Sequence, residues 1–290
     1  MKIPFTKMHG IGNSYIYINA ITHEFDASTF NELAKDVSNV HTGIGSDGLI
    51  VIHSSDAAEI GMRIFNKDGS EGQSCGNGLR CAAKYAYEHQ LVASSLFQIE
   101  TKAAIVTVEV YGDRACIDRV TVNLGSPSLN RSSIPMIGPD DNQVIAERFD
   151  VASHALNVTG LFLGNPNALF FVEAIEEAPI HELGALITDD PRFPDRVNVG
   201  FIEIISRNEM KYSVWERGSG VTEACGTGAS AAVVAAVLNG FIDKGTDVTV
   251  HLSGGDLDIQ WADDDHVWMT GPAVTTIQGV FYWKRQALKE

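Results

Sequence analysis

Basic side chains are scarce in this chain: 21 lysines and arginines stand against 37 aspartates and glutamates across 290 residues, a formal net charge of -16. A mean field of that sign repels phosphate, so nucleic acid and anionic membrane surfaces are excluded as partners, and an acidic small molecule would need local cations or backbone donors to bind. Long apolar runs are missing as well. The most hydrophobic helical stretch, residues 229–238, is too short to span a bilayer, and the start, MKIPFTKMHG, has no apolar core of signal-peptide length. These shortages predict a soluble, cytoplasmic protein. Cysteine is sparse too. Four cysteines in a chain of this length make no disulfide framework, and the close pair Cys75 and Cys81 has five residues between its members where metal knuckles have two to four. Reduced thiols and no metal site are the expectation. No low-complexity tract or long charge run occurs.

What the chain does contain is a repeat. Cys75 in SCGNGLRCAA and Cys225 in ACGTGASAA are each followed by a nearly identical glycine-rich turn. Upstream, Gly12-Asn13 before the apolar run SYIYI is echoed by Gly164-Asn165 before PNALFFV, with Asn13 62 residues ahead of Cys75 and Asn165 60 ahead of Cys225. Asn66 and Glu216 each fall nine residues before their cysteine. Three landmarks in register predict a gene-duplicated protein of two domains, residues 1–120 and 121–290, leaving open that the last strand returns to the first half. The active centre is expected where the halves meet, and 44% hydrophobic residues suffice for two cores.

Short alternating or continuous apolar runs bounded by Gly, Asp, Asn and Pro read as strands: SYIYIN, GLIVIH, MRIFN, FQIET, AIVTVEVYG, RVTVNLG, ALFFVEAI, NVGFIEII, KYSVWERG, DVTVHL, DLDIQW and HVWMTG. Helical patterns cover residues 26–38, 78–90, 181–188 and 229–239, and the second and fourth open at the cysteine turns. The fold class is therefore α+β, two related strand-rich domains each with a central helix launched from its Cys-Gly-x-Gly turn. The helix after Cys225 is apolar all round and predicts full burial. The helix from Gly78 carries Arg80, Lys84 and Glu88 at four-residue spacing, which reads as a solvent-facing stripe. Residues 125–141 have the turn chemistry of a linker.

Other features are assigned no chemistry. Gly43, Gly45 and Gly48 satisfy G-x-G-x-x-G, but they precede the strand-like LIVIH instead of opening a helix, so no dinucleotide site is read there. Cys81 and Cys116 read as packing residues. His9 and His41 read as structural hydrogen-bonding residues, and Asp263 to Asp265 as a solvated turn.

The two turns carry a specific chemistry. Glycines remove side-chain bulk, and the first amides of a helix point into the turn, where an anion can sit. The same helix end stabilises a thiolate, lowering a cysteine from its reference of about 8.5. With both turns on one cavity, their amides can clamp a carboxylate while the two sulfurs flank its α-carbon, one removing a proton and the other delivering one. The clamp also stabilises the charge that develops on the carboxylate.

The segments KMHGIGNSYIYIN, TGIGSDGLIVI, MRIFNKDGSEGQSCGNGLRC, LGNPN, RFPDRVNVGFIEII and WERGSGVTEACGTGASA make the whole chain resemble the diaminopimelate epimerases, cofactor-independent two-cysteine amino-acid epimerases of lysine and cell-wall biosynthesis. Proline racemases and hydroxyproline epimerases resemble it in fold, but their first turn typically has histidine where this chain has Asn77. The resemblance implies Cys75 and Cys225 as the acid/base pair, with Gly76, Asn77, Gly226 and Thr227 holding the reacting carboxylate. It implies Asn13, Asn66, Asn165, Asn198, Glu216 and Arg217 as contacts to the rest of a small amino-acid substrate, and a homodimer without metal or pyridoxal phosphate. A cation and acceptors suit a second amino-carboxylate end, and Glu216-Arg217 supplies both signs. The sequence departs from the family's usual GNPH at Asn167, where the histidine is held to tune the cysteine pair together with the Glu216 position; asparagine hydrogen-bonds but carries no charge. Two further readings stay open: a racemase of the same fold acting on another amino acid, and a non-catalytic relative that only cradles a carboxylate.

Overall fold

The structure is a computed structural model that describes residues 1–73, 75–138 and 142–284. It divides into two compact units, Met1–Val122 with Pro272–Glu290, and Asn123–Gly271. Unit one is built from β1 (Lys2–Gly10), β2 (Asn13–Asn19), α1 (Phe30–Ser38), β3 (Gly48–His53), β4 (Ile60–Asn66), α2 (Gly76–Glu88), β5 (Leu96–Glu100), β6 (Ile105–Asp113) and β7 (Cys116–Asn123). Unit two contains β8 (Val144–Val151), β9 (His154–Leu163), β10 (Asn165–Phe171), α3 (Ile180–Thr188), β11 (Asn198–Ser206), β12 (Glu209–Glu216), β13 (Gly220–Thr222), α4 (Gly226–Leu238), β14 (Asp247–Leu252), β15 (Gly255–Trp261) and β16 (Val267–Pro272). The last strand, β17 (Val274–Tyr282), belongs to unit one.

The two sheets share one pairing order. In unit one it runs β17, β1, β2, β3, β4, β5, β6, β7, with β2–β3 and β4–β5 parallel and the other neighbours antiparallel. In unit two it runs β8, β9, β10, β11, β12, β14, β15, β16, again with the third and fifth pairings parallel and the others antiparallel. The helices correspond as well: α1 packs on β3 and β4 as α3 packs on β11 and β12, while α2 packs on β1 and β6 as α4 packs on β9 and β15. The architecture is α+β and strand-rich, as the residue patterns predict.

Strand β3 shows how the sequence positions a cysteine turn. Its run GLIVI is buried throughout, because the strand is covered on both faces. Leu49 and Val51 pack with Phe30, Leu33 and Val37 of α1. On the opposite face Ile50 reaches Gly78 of α2, where a methyl group would lie 2.7 Å from its Cδ1. In unit two Phe170, Val199 and Phe201 form the matching core with Leu183 and Ile187 of α3. The all-apolar helix α4 is buried along almost its whole length, since it has no polar face to give to water. Among the described residues no helix is long and apolar enough to cross a membrane.

Several expectations need correction. The first helix begins at Phe30, after a 3-10 turn at Ala27–Thr29 whose Asp26 side chain accepts from the Ser28 amide. Helices α2 and α4 begin at Gly76 and Gly226, earlier than the apolar periodicity indicates, so the glycines of the turns form the first helical turn. The stripe of Arg80, Lys84 and Glu88 does not face solvent: Arg80 is 0% exposed, and Lys84 donates to the Ile117 carbonyl at 2.9 Å. Residues 139–141 lie outside the described residues, and over the described part of 125–141 the expected linker is not seen. There Arg131 is buried and pairs with Glu147, and the chain passes between units at Val122/Asn123 and Gly271/Pro272. Cys116 is exposed at the start of β7, with Sγ 3.5 Å from Asp118 Oδ1, while Cys81 is buried as expected.

Candidate active site

In unit one the turn after β4 brings Cys75 to the N-cap of α2. Its extended backbone (φ -149°) aims the sulfur back over the first turn, where the Gly78 amide donates to Sγ at 3.4 Å. A thiol at this position takes the role that serine or aspartate usually has, and the helix end favours its ionised form. The thiol donates to Asn13 Oδ1 at 3.5 Å, and Asn77 Nδ2 donates to the same oxygen at 3.4 Å. Asn13 comes from the start of β2, after the turn in which Gly12 has φ 95°. Its Nδ2 donates to Asp47 at 2.9 Å, and the Ser14 amide donates to the same carboxylate oxygen at 2.8 Å.

Asn66 ends β4 opposite Gly48, and its Nδ2 donates to Ser70 Oγ at 3.0 Å in its own turn. It therefore neighbours Asp47, whose carbonyl accepts from the Lys67 amide at 3.0 Å. Two buried tyrosines of β2 complete this half. Tyr17 donates to the Gly78 carbonyl at 3.3 Å, and burial, with the Cys81 and Cys75 thiols beside it, raises its hydroxyl far above the usual range. Burial, then the charges of Cys75 and Asp47, raises Tyr15 in the same way. Both phenols stay protonated at neutral pH.

In unit two Cys225 caps α4 with no side-chain hydrogen bond to the helix amides, and its Sγ lies 3.8 Å from Thr227 Oγ1. The sulfur rests against Gly228, where a methyl group would come within 3.0 Å of Sγ and 2.4 Å of the Tyr212 hydroxyl. Tyr212 is buried and its hydroxyl has no hydrogen-bond partner among the described residues; burial first, then the charges of Cys225 and Glu216, raises it well above its ordinary value. Glu216 at the end of β12 accepts from the Thr222 hydroxyl. Arg217 is exposed, its amide held by Asn198 Oδ1 at 3.0 Å and its guanidinium donating to the Asp195 carbonyl at 3.0 Å.

Asn165 opens β10 after Gly164, whose φ of 70° suits glycine and which lies against Thr227. Two residues on, Asn167 is 0% exposed. Its Nδ2 donates to the Asn165 carbonyl at 2.7 Å and its Oδ1 has no partner among the described residues. Asn13, Cys75 and Asn77 thus form one hydrogen-bonded cluster, and Asn198 and Arg217 another. Sequence reasoning missed Asp47, Arg80, Tyr15, Tyr17 and Tyr212. Asp47 had a signal, because it lies within TGIGSDGLIVI, but the tyrosines look like ordinary strand residues.

The architecture defines a class first. It matches the solved phenazine biosynthesis protein of the PhzF family from Bacillus anthracis at a TM-score of 0.70 and 15% identity, covering 98% of this chain and 100% of that one. It also matches a hydroxyproline epimerase from Agrobacterium vitis at a TM-score of 0.66 and 16% identity, covering 97% and 91%. Within that fold the family is definite: the diaminopimelate epimerase family model matches residues 5–130 and 161–276, and a diaminopimelate epimerase from Oceanobacillus iheyensis is 54% identical over 99% of this chain and 100% of its own length. The chain belongs to the diaminopimelate epimerase family and is an isomerase.

Proposed function

We propose that this protein epimerises LL-2,6-diaminoheptanedioate to the meso isomer, with Cys75 and Cys225 as the proton-transferring pair. The observation that carries the reading is the equivalent placement of both cysteines, each at the cap of a glycine-opened helix in a sheet of the same pairing order. Inversion needs a proton taken from one face of the α-carbon and returned to the other, and one thiolate with one thiol supplies both steps. The α-carboxylate would lie against the amides of Gly76, Asn77, Gly226 and Thr227, where the helix ends stabilise the charge that builds up as the α-proton leaves. Arg217 would take the distal carboxylate, with Glu216 accepting from the distal ammonium. Asn13, Asn66, Asn165 and Asn198 would fix orientation, and Asn167 would set the surroundings of Cys225 without adding charge.

The reading also includes duplicated halves, on the residue repeat, and a cytoplasmic place, on composition; a homodimer, no requirement for pyridoxal phosphate or a metal, and a role in lysine and peptidoglycan precursor synthesis follow from the family resemblance. Incubation with the LL isomer in deuterated water, followed by stereochemical and mass analysis, tests substrate and mechanism together. The expected product is the meso isomer carrying one solvent-derived deuterium at the inverted carbon. Inversion without label, or no inversion, would refute it.

A further inference from the structure

Arg80 is among the largest fully buried side chains of the described residues. Removing a guanidinium from water is costly, so its surroundings must hold it in a defined way. Its Nη2 donates to Asn77 Oδ1 at 2.8 Å and its Nε to the Pro272 carbonyl at 3.2 Å. Gly10 of β1 makes the room, since a methyl group there would lie 2.7 Å from Nη2.

The direction of these bonds matters. Arginine only donates, so the Asn77 atom facing it is the oxygen, and the Asn77 nitrogen is left to donate to Asn13 Oδ1. At the far end an ionised aspartate only accepts, so Asn13 turns its nitrogen to Asp47. A donor-only group and an acceptor-only group thus close a one-way chain, Arg80 to Asn77 to Asn13 to Asp47. Asn13 can then offer the Cys75 sulfur only an oxygen, at 3.5 Å.

We propose that Arg80 and Asp47 are positioning residues for Cys75, fixing the two intervening amides so that an acceptor oxygen always faces the thiol. An acceptor at the sulfur favours the protonated form, opposing the Gly78 amide and the helix end, which favour the thiolate. Cys75 is thereby held ready to lose or gain its proton. The other titratable groups around it are Tyr15 and Tyr17 on β2 and Cys81 on α2. The inference rests on Cys75 being a proton-transferring residue, as proposed above.

The test needs no substrate, so its outcome stands even if the protein does not epimerise the proposed one. The rate of Cys75 alkylation by iodoacetamide, read on the Cys75 peptide by mass spectrometry, is followed against pH in the full chain. Asp47 is exposed, so Asp47→Asn should fold. This variant lets the Asn13 amide turn its nitrogen to the sulfur, and alkylation at neutral pH should rise about threefold or more. In an Asn13→Ala background the same substitution should leave the rate unchanged, because the linking amide is gone. Arg80→Gln should likewise alter the profile, and should lose that effect in an Asn77→Ala background. An unchanged profile in Asp47→Asn, or an equal shift with and without Asn13, overturns the proposal, since through-space charge alone would persist in both backgrounds.

Discussion

Asn167 and Asn198 stand opposite each other in the parallel register of β10 and β11, both buried, yet only Asn198 has its side-chain oxygen satisfied, by the Arg217 amide. Among the described residues the Asn167 oxygen has no partner. This is the position at which the family resemblance leads one to expect histidine, and a buried acceptor left in that state costs about 1–3 kcal/mol. Replacing Asn167 by histidine should preserve the bond to the Asn165 carbonyl through a ring N–H. On the proposed role of this position in tuning the cysteine pair, a partly protonated imidazole would favour the thiolate, so the acidic limb of the kcat/KM profile should move to lower pH. Superimposable profiles would mean that the position acts through shape.

The two cysteines should separate in stability although the proposed mechanism needs both. On that mechanism, loss of either thiol should abolish epimerisation, because inversion needs a proton relay on both faces. Cys75→Ala also removes the acceptor of the Gly78 amide, a cap worth about 0.5–2 kcal/mol, whereas Cys225 makes no such bond. Urea titration should therefore show Cys75→Ala less stable than Cys225→Ala, with Cys75→Ser recovering much of the loss. Equal midpoints for the two alanine variants would contradict this.

Tyr212→Phe removes a buried hydroxyl that has no partner, so it should leave stability unchanged or raise it by about 1 kcal/mol. Gly228→Ala should be strongly destabilising, because its methyl group would lie 2.4 Å from that hydroxyl. Combining the two should recover part of the loss. Strict additivity in denaturant midpoints would show that the hydroxyl is not the obstacle.

Arg217→Lys keeps the charge and loses the two-pronged geometry, so kcat/KM should fall by about 1.5–3 kcal/mol equivalent while the melting temperature stays close to the parent's. The exposed position and the single bond to Asp195 allow the substitution structurally. Parental kcat/KM would remove Arg217 from substrate binding.

His251 lies between Asp256 and Glu209, whose hydrogen bonds raise it above its ordinary value. A folded-state value above the unfolded one means that the stabilisation is complete below the unfolded value of about 6.5 and is lost as pH rises through the folded one. Melting temperatures of the parent and of His251→Gln should differ most at pH 6 and converge toward pH 8.5. A gap that widens with pH would reverse the assignment.

Much of the frame was legible from residue pattern. Strands β2 to β7, β10 to β12 and β14 to β16 follow their apolar runs. The apolar runs give no strand at β1, β8, β9, β13 or β17, because polar alternation, exposed faces or, at the three-residue β13, shortness weaken the period-two signal. The path of the last strand illustrates the limit. A composition-based boundary cannot show that Val274–Tyr282 pairs with β1, a contact made between opposite ends of the chain.

The sequence by itself determined the cysteine repeat, the acidic balance and the two helices opened by glycine turns, because a turn and the helix it opens are built from residues a few positions apart; whether the capping sulfur meets an amide, as at Cys75, or does not, as at Cys225, was left to the fold. Only the tertiary structure decided the fate of Arg80. Helical periodicity puts it on a face with Lys84 and Glu88 but says nothing of what covers that face. The covering groups are Gly10 and the Pro272 carbonyl, the latter 192 positions away, and the chain from Arg80 through the asparagines ends on Asp47, 34 positions from Asn13. Whether a charge is solvated or buried, and which way an amide must turn, depends on such distant neighbours, since desolvation and hydrogen-bond direction are properties of the assembled environment.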